Sequence, residues 1–474
     1  MNKNSIVALS ENGLQLDILK SPESKIKCER CDVDKNIILY SDAESVNFHD
    51  GYKIIGTHKV TDVKQIKLAG KYGCALKYDR TMLVFDKDNI LYSCSDVDRF
   101  KLSDKLVAYV SKSELFVCEI NAHKISDIIF KKPSILDFEI FGNFFVFTTR
   151  KKHKNSQEIQ TFEIHQKDNL VFSQPFNNIE AMKIKYDGFD AFIVQITTKY
   201  VNNSYFGASS LFFYHKKTWK EVKKCDNVHF FTFIEGGFAV CYGDQPADVV
   251  TMDYSLNVKS KFPSGIRNRI YYNPHFNLVC FAGFDNLSGD IELYDVKSNK
   301  LISKFRVLGA SCVDWSPCGS YLSISITNFL KVDNKILVYD YYGRKLSEMH
   351  FEKLFFVRWI GEKENFMELE KPQSLNIDVI EHYVPPSLRN PGKARVSVAK
   401  KPRTPKQPAI KKQTPIKRKE SIDASLLEAE LEQIKNLKVK LERGENLTVE
   451  EMNKILSENV IKEKIQRKKQ TINQ

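Results

Sequence analysis

Nine times along this chain a strand-like run closes on an acidic or polar residue, and the interval between closures limits the folds open to it. The series is Asp17, Asp50, Asp86, Glu119, Glu163, His215, Asp253, Asp295 and Asp340, spaced by 33, 36, 33, 44, 52, 38, 42 and 45 residues. It is clearest from Phe281 to Tyr342. Residues 290–296 alternate apolar and polar side chains and end on Tyr294-Asp295; a Ser-Asn turn and a short strand from Lys300 to Phe305 follow. In Val313-Asp-Trp-Ser-Pro-Cys-Gly319, Pro317 suits the second position of a turn and Gly319 its exit. Ile336 to Asp340 then restates the Tyr-Asp ending, and Gly343 turns the chain again. Strand and tight turn alternating at a period near forty is the sequence form of a β-propeller. The expectation is an all-β, WD40-like propeller of nine blades over residues 1–380. The longest interval holds a run rich in small polar residues, 199–210, expected to be a protruding hairpin or loop.

A ring of blades must join its first and last members or leave open sheet edges. The apolar run Leu354-Phe-Phe-Val-Arg-Trp-Ile360 follows the last repeat and has no blade of its own. It is expected to pair with the strands around residues 6–17 and close the ring. The competing reading is a strand that caps an open solenoid.

The net charge of +13 is concentrated. Residues 387–419 contain twelve Lys or Arg and no acid, and residues 420–474 contain ten basic and eleven acidic side chains. The first 386 residues are therefore within two charges of neutrality. The Pro/Lys/Arg-rich segment 381–419 cannot bury enough apolar surface to offset its ordering entropy, so a disordered linker is predicted there. Residues 420–474 read as an amphipathic helical tail. Ser425-Leu-Leu-Glu428 and Thr448-Val-Glu-Glu451 have the form of capping boxes. Leu427, Leu431, Ile434, Leu437 and Leu441 then Met452, Ile455 and Leu456 form apolar stripes. They are expected to pair as a helical hairpin or to dock on a partner protein.

The N-terminus, MNKNSIVALSENG, lacks the apolar core of a signal peptide. No apolar run reaches the roughly eighteen residues needed to cross a bilayer. Ten cysteines without a regular framework suggest buried free thiols in a reducing compartment. A soluble cytoplasmic protein without a membrane partner is expected.

Several stretches resemble one family in their order. Tyr242-Gly-Asp-Gln-Pro-Ala247 resembles a YGxxPA element, and Arg267-Asn268 with Tyr271-Tyr-Asn-Pro-His275 resembles an RNxxYYxPH element. Ala282-Gly-Phe-Asp-Asn-Leu-Ser-Gly289 precedes the Tyr-Asp strand and Leu301-Ile-Ser-Lys304 follows it. Tyr383-Val-Pro-Pro-Ser-Leu-Arg-Asn390 comes after the repeats, and Ile434-Lys-Asn-Leu-Lys-Val-Lys-Leu441 lies in the tail. Together they are similar to the eukaryotic translation initiation factor 2A family. The resemblance is dense from Gly237 to Asp340 and thin before residue 200. It implies a nine-bladed propeller that associates with the small ribosomal subunit and with initiator methionyl-tRNA in alternative initiation. Asp244 and Gln245 depart from the more apolar middle of the YGxxPA element, which puts the contacts of those positions in question. A cousin, the propeller component of initiation factor 3, carries an RNA-recognition domain ahead of its ring, and here the repeats begin near residue 6.

The basic linker is the strongest functional feature. Arg389, Lys393, Arg395, Lys400, Lys401, Arg403, Lys406, Lys411, Lys412, Lys417, Arg418 and Lys419 are expected to neutralise phosphates of mRNA or rRNA without reading sequence. The bland alternative is a solvated spacer, and residues 400–406 also have the form of a nuclear-import signal. Thr404-Pro405 and Thr414-Pro415 are candidate proline-directed phosphorylation sites. Arg267, Asn268 and Asn286 lie at turns and are candidates to line a propeller face; the tail stripes are candidates to bind other initiation factors. Cys28-Glu-Arg-Cys31 lacks a second ligand pair, so no metal is expected. The sequence contains no GxxxxGK[ST], HExxH or GxSxG, and no cofactor or catalytic residue is assigned. A propeller scaffold in ribosome biogenesis or a nuclear or trafficking complex is the second functional reading.

Overall fold

The repeating closure residue marks the third strand of each blade. The computed structural model describes residues 5–19, 25–121, 124–152, 158–177, 179–198, 208–223, 225–329, 333–373 and 434. The chain divides into two units, Met1–Tyr383 and Val384–Gln474. In the first, the described strands form nine four-stranded antiparallel sheets, each a meander. Blades 2 to 9 occupy residues 30–59, 63–94, 97–133, 135–177, 179–221, 228–265, 269–306 and 312–350 in turn. Blade 1 combines both ends of this unit: Ser5–Ser10, Gly13–Gln15 and Lys25–Ile26 supply its outer strands, and Leu354–Ile360 the innermost. Leu354–Ile360 pairs antiparallel with Ser5–Ser10, Ser5 opposite Ile360 and Ala8 opposite Val357. The expected closure is realised, and the open solenoid is excluded.

The first strand of each blade is the innermost, and each touches the inner strands on both sides around the ring, Leu354–Ile360 meeting those of blades 9 and 2. Nine buried apolar clusters complete the ring, one at each junction between successive blades. A blade packed on both faces needs apolar side chains on both faces of its strands. Phe145, Val146 and Phe147 are accordingly all fully buried, as are Val7 and Ala8. This two-sided burial removes the polar–apolar alternation from the central strands and explains why the early repeats are faint.

The acidic closures have a local cause. At the end of the third strand, the Asp carboxylate accepts backbone hydrogen bonds from the turn into the fourth strand. Asp50 accepts from the amides of Tyr52 and Lys53 at 2.9 Å, and Asp86 from Asp88 and Asn89 at 2.9 and 2.7 Å. Asp253, Asp295 and Asp340 do the same for Ser255 and Asn257, Ser298, and Tyr342 and Arg344. The short side chain reaches its own turn; a longer one does not fit that geometry. Glu119 instead pairs with Lys167 at 2.8 Å, Glu163 with Lys132 at 3.2 Å, and His215 lies 3.5 Å from Asp190.

Residues 208–210 of the expected insertion belong to the strand Ala208–His215, which pairs with Phe192–Thr198. Residues 199–207 lie outside the described residues, as do the linker and the tail apart from Ile434, which is helical and buried. All ten cysteines are free. Burial of the thiols is not uniform, since Cys312 is exposed and Cys28, Cys31 and Cys94 are half-buried.

Candidate functional site

A meander fixes which loops share a face. Connections from second to third strand, and links from one blade to the next, emerge on one side of the ring. First-to-second and third-to-fourth connections emerge on the other. Residues 243–246, 266–268 and 283–289 therefore crowd together on the first side at blades 7 and 8, and their side chains interlock. Gln245 donates through Nε2 to the Arg267 carbonyl at 2.7 Å, and its Oε1 accepts from the Arg267 amide at 3.0 Å. The Gln245–Pro246 peptide is cis. Asn268 does the same for Phe284, donating to its carbonyl and accepting from its amide, each at 2.9 Å. Asp244 accepts from Asn227 Nδ2 at 3.2 Å. The two positions that depart from the resembled element thus hold neighbouring loops together.

Arg267 does not line a face. Its side chain is 1% exposed, ion-paired to Glu292 at 2.9 Å, with its guanidinium 4.6 Å from the Phe281 ring centroid and 5.8 Å from that of Tyr294. Its Nη2 also donates to the Pro263 carbonyl at 2.5 Å. Burial of a cation demands a paired anion, and Glu292 serves two: Lys304 reaches it at 2.7 Å. Gly265 makes the arrangement possible, because a Cβ there would lie 2.3 Å from Arg267 Nη2. The sequence reading missed this role because nothing local to Arg267 announces a carboxylate 25 residues later on a third strand. Asn268 is half-buried in its clamp, and Asn286 is an exposed turn residue. Of the three face candidates, only Asn286 is displayed.

On the opposite side, the YYxPH part of the second element locks blade 8 to blade 9. Trp315 Nε1 donates to the Tyr271 carbonyl at 3.0 Å and Asn273 Nδ2 to that of Gly319 at 3.1 Å. The chain then leaves along this side: the Glu364 amide donates to the Pro317 carbonyl at 3.1 Å, and Phe366 lies 5.7 Å from His275 and 5.9 Å from Tyr341. Burial, with the charge of Lys363, holds the His275 imidazole below its ordinary pKa.

The inner strands carry the charges nearest the central channel. Lys67 pairs with Asp32 at 2.8 Å, Arg99 with Asp137 at 3.4 Å, Lys101 with Glu139 at 2.5 Å and Arg358 with Asp314 at 3.8 Å, each from one inner strand to the next. The linker cations Arg389 to Lys419 and the stripes of the tail, apart from Ile434, fall outside the described residues. Among the described residues no group of three or more His, Cys, Asp or Glu is placed to hold a metal, and no helix is long and apolar enough to cross a membrane.

Nine meander blades, closed by a blade shared between early and late strands, define a nine-bladed β-propeller. Residues 176–357 match the family described as "Eukaryotic translation initiation factor eIF2A". Eukaryotic translation initiation factor 2A of Caenorhabditis elegans is 28% identical over 313 residues, 54% of this chain and 55% of that protein. Its Saccharomyces cerevisiae counterpart is 31% identical over 136 residues, 28% of this chain and 21% of that one. A component of eukaryotic translation initiation factor 3 from Nicotiana tabacum is 22% identical over 108 residues, 23% of this chain and 15% of that protein. A solved structure described as the crystal structure of the eukaryotic initiation factor shares the fold, with a TM-score of 0.64 at 17% identity over 77% of this chain and all of that one. Over blades 6 to 9 the chain is similar to the eukaryotic translation initiation factor 2A family. It matches about half of the C. elegans protein and about a fifth of the yeast one.

Proposed function

We propose that this protein is a non-catalytic translation initiation factor of the cytoplasm that binds the small ribosomal subunit and assists recruitment of initiator methionyl-tRNA in alternative initiation. The observation that carries the reading is the family match over residues 176–357, which falls on blades 6 to 9 and most of the closing strand. These are the blades whose loops interlock through Gln245, Arg267, Asn268 and Asn273, so the matched stretch is a rigid surface suited to another rigid body. The basic linker adds RNA contact by charge: about six phosphate contacts to a single strand would give a log–log salt slope of about −4. The tail stripes offer a docking surface for other initiation factors.

The test is sedimentation with purified small ribosomal subunits at near-physiological salt, using the full chain and a chain ending at Pro386. Co-sedimentation of both assigns ribosome recognition to the propeller and leaves the linker as an auxiliary tether. If both remain in the supernatant, the initiation-factor reading loses its physical basis.

A further inference from the structure

The inner-strand ion pairs leave two lysines of the channel wall without a carboxylate partner among the described residues. On blade 6 the inner strand Ile179–Tyr186 carries Lys183 and Lys185, both exposed. Residues two apart on a strand share a face. Met182, Ile184 and Tyr186, on the other face, pack in the cluster between blades 5 and 6, so the two lysines face blade 7. Lys185 Nζ indeed stands 5.8 Å from the Phe230 ring centroid. The facing strand, Val228–Ile234, reads VHFFTFI and contains no acid, and the next inner strand, Arg269–Tyr272, reads RIYY. Among the described residues neither lysine is within ion-pair distance of a carboxylate, while Arg269 is held by Asp285 at 2.7 Å. Lys183, Lys185, His229, Phe230, Phe231 and Arg269 line a recess of about 230 Å³.

Two lysines held at strand spacing beside an acid-free aromatic strand concentrate positive charge at one point of the wall, which attracts an anion. We propose that this recess binds a backbone phosphate of single-stranded RNA, with Lys183 and Lys185 as its cations. The proposal rests on the reading of the chain as an RNA-contacting initiation factor. His229 donates through Nε2 to the Gly243 carbonyl at 2.6 Å, which fixes its ring at the rim of the recess. Phe230, half-buried among the lining residues, gives the same wall an aromatic surface on which an unstacked base can lie. A recess of this volume excludes a duplex, which is read from outside by shape. The free-phosphate alternative, inorganic phosphate or a nucleotide, shares the cations, and of the two only inorganic phosphate has no use for the aromatic wall.

Photo-cross-linking of the full chain to a 4-thiouridine-labelled oligouridylate, followed by peptide mapping, locates the contact independently of the linker. Adducts are expected on peptides containing residues 179–186 or 228–234. Lys183→Ala/Lys185→Ala should abolish them, and should flatten the log–log salt slope by about 0.7, the contribution of one phosphate. Both lysines are exposed, so the variant is expected to keep the wild-type melting temperature. Adducts confined to residues 387–419, or an unchanged slope, overturn the proposal. Displacement of the recess adducts by millimolar inorganic phosphate or ATP, with the linker adducts intact, assigns the recess to a free phosphate and overturns RNA as its ligand. Because ribosome sedimentation is scored separately, absence of recess adducts from the wild-type chain with retained co-sedimentation refutes this inference and leaves the initiation-factor reading standing.

Discussion

Gly265→Ala is the most informative single change in the propeller, because its cost depends on one other residue. The glycine φ is not in the left-handed region, so the backbone tolerates alanine there. The obstacle is Arg267: the added Cβ would lie 2.3 Å from Nη2, 2.7 Å from Nε and 2.8 Å from Cζ. An ordinary contact is more than 1 Å longer, so the guanidinium must move. It is pinned by Glu292 at 2.9 Å, the Pro263 carbonyl at 2.5 Å and the Phe281 ring. Overpacking of this kind costs about 2–3 kcal/mol. Arg267→Ala removes one partner of a buried pair, a change that costs about 3–5 kcal/mol. Lys304 still neutralises Glu292, which places the loss at the low end, about 3 kcal/mol. Additivity would then put the double variant near 5–6 kcal/mol. The geometry instead predicts about 3, since alanine at 265 meets nothing once the guanidinium is gone, a coupling of about 2–3 kcal/mol. Urea unfolding followed by tryptophan fluorescence measures all four corners of the cycle. Equal costs for Gly265→Ala in the two backgrounds, within about 0.5 kcal/mol, would refute the claim that Gly265 exists to admit Arg267.

Three further outcomes follow from other parts of the ring. Burial pushes the Asp314 carboxyl up from 3.8 to about 6, against the pull of Arg358 and the hydrogen bond from the Trp359 amide. A raised folded pKa means stability is lost as pH climbs from about 4 through 6. Asp314→Asn should therefore be more stable than wild type by about 2–3 kcal/mol at pH 7 and equal to it near pH 4; melting curves at the two pH values read the difference, and a constant offset rejects the assignment. Asp340 is 1% exposed and accepts two turn amides as well as Arg344, so Asp340→Ala should cost about 2–3 kcal/mol, against about 1 for Asp295→Ala at a more open turn, by chemical denaturation. In the linker, Thr404→Glu/Thr414→Glu adds two negative charges to a twelve-cation segment and should weaken binding to single-stranded RNA at low salt, the deficit fading as salt rises; fluorescence anisotropy across a salt series checks it.

The architecture was legible because its signal is local. A third strand that ends in Asp, followed by a tight turn, is written within about ten residues, and Asp253, Asp295 and Asp340 each act within four residues of themselves. Where the closure is Glu119, Glu163 or His215, the side chain serves a distant partner instead, and the register weakens accordingly. The closing strand was legible for a negative reason: Leu354–Ile360 is too apolar to be left uncovered and has no hairpin partner in sequence. The fate of Arg267 was not legible. An Arg in a turn between strands reads as displayed, and its burial follows from Phe281, Tyr294 and Glu292, which arrive from two other strands of blade 8. Lys183 and Lys185 were overlooked for a related reason. A Lys-Ile-Lys run in a strand is unremarkable until the strand beside it is known to carry no acid.

The sequence by itself determined the strand–turn period, the number of repeats, the need for a closing strand and the concentration of positive charge in residues 387–419. These are properties of near neighbours in the chain, set by turn chemistry and composition. Only the tertiary structure decided which charges neutralise one another around the channel, which of three turn residues reaches solvent, and where lysines remain without a carboxylate. Those outcomes depend on which strands stand side by side, and in a ring of nine blades each pairing between inner strands joins residues more than thirty positions apart. A side chain's own neighbours in sequence carry no record of that distance.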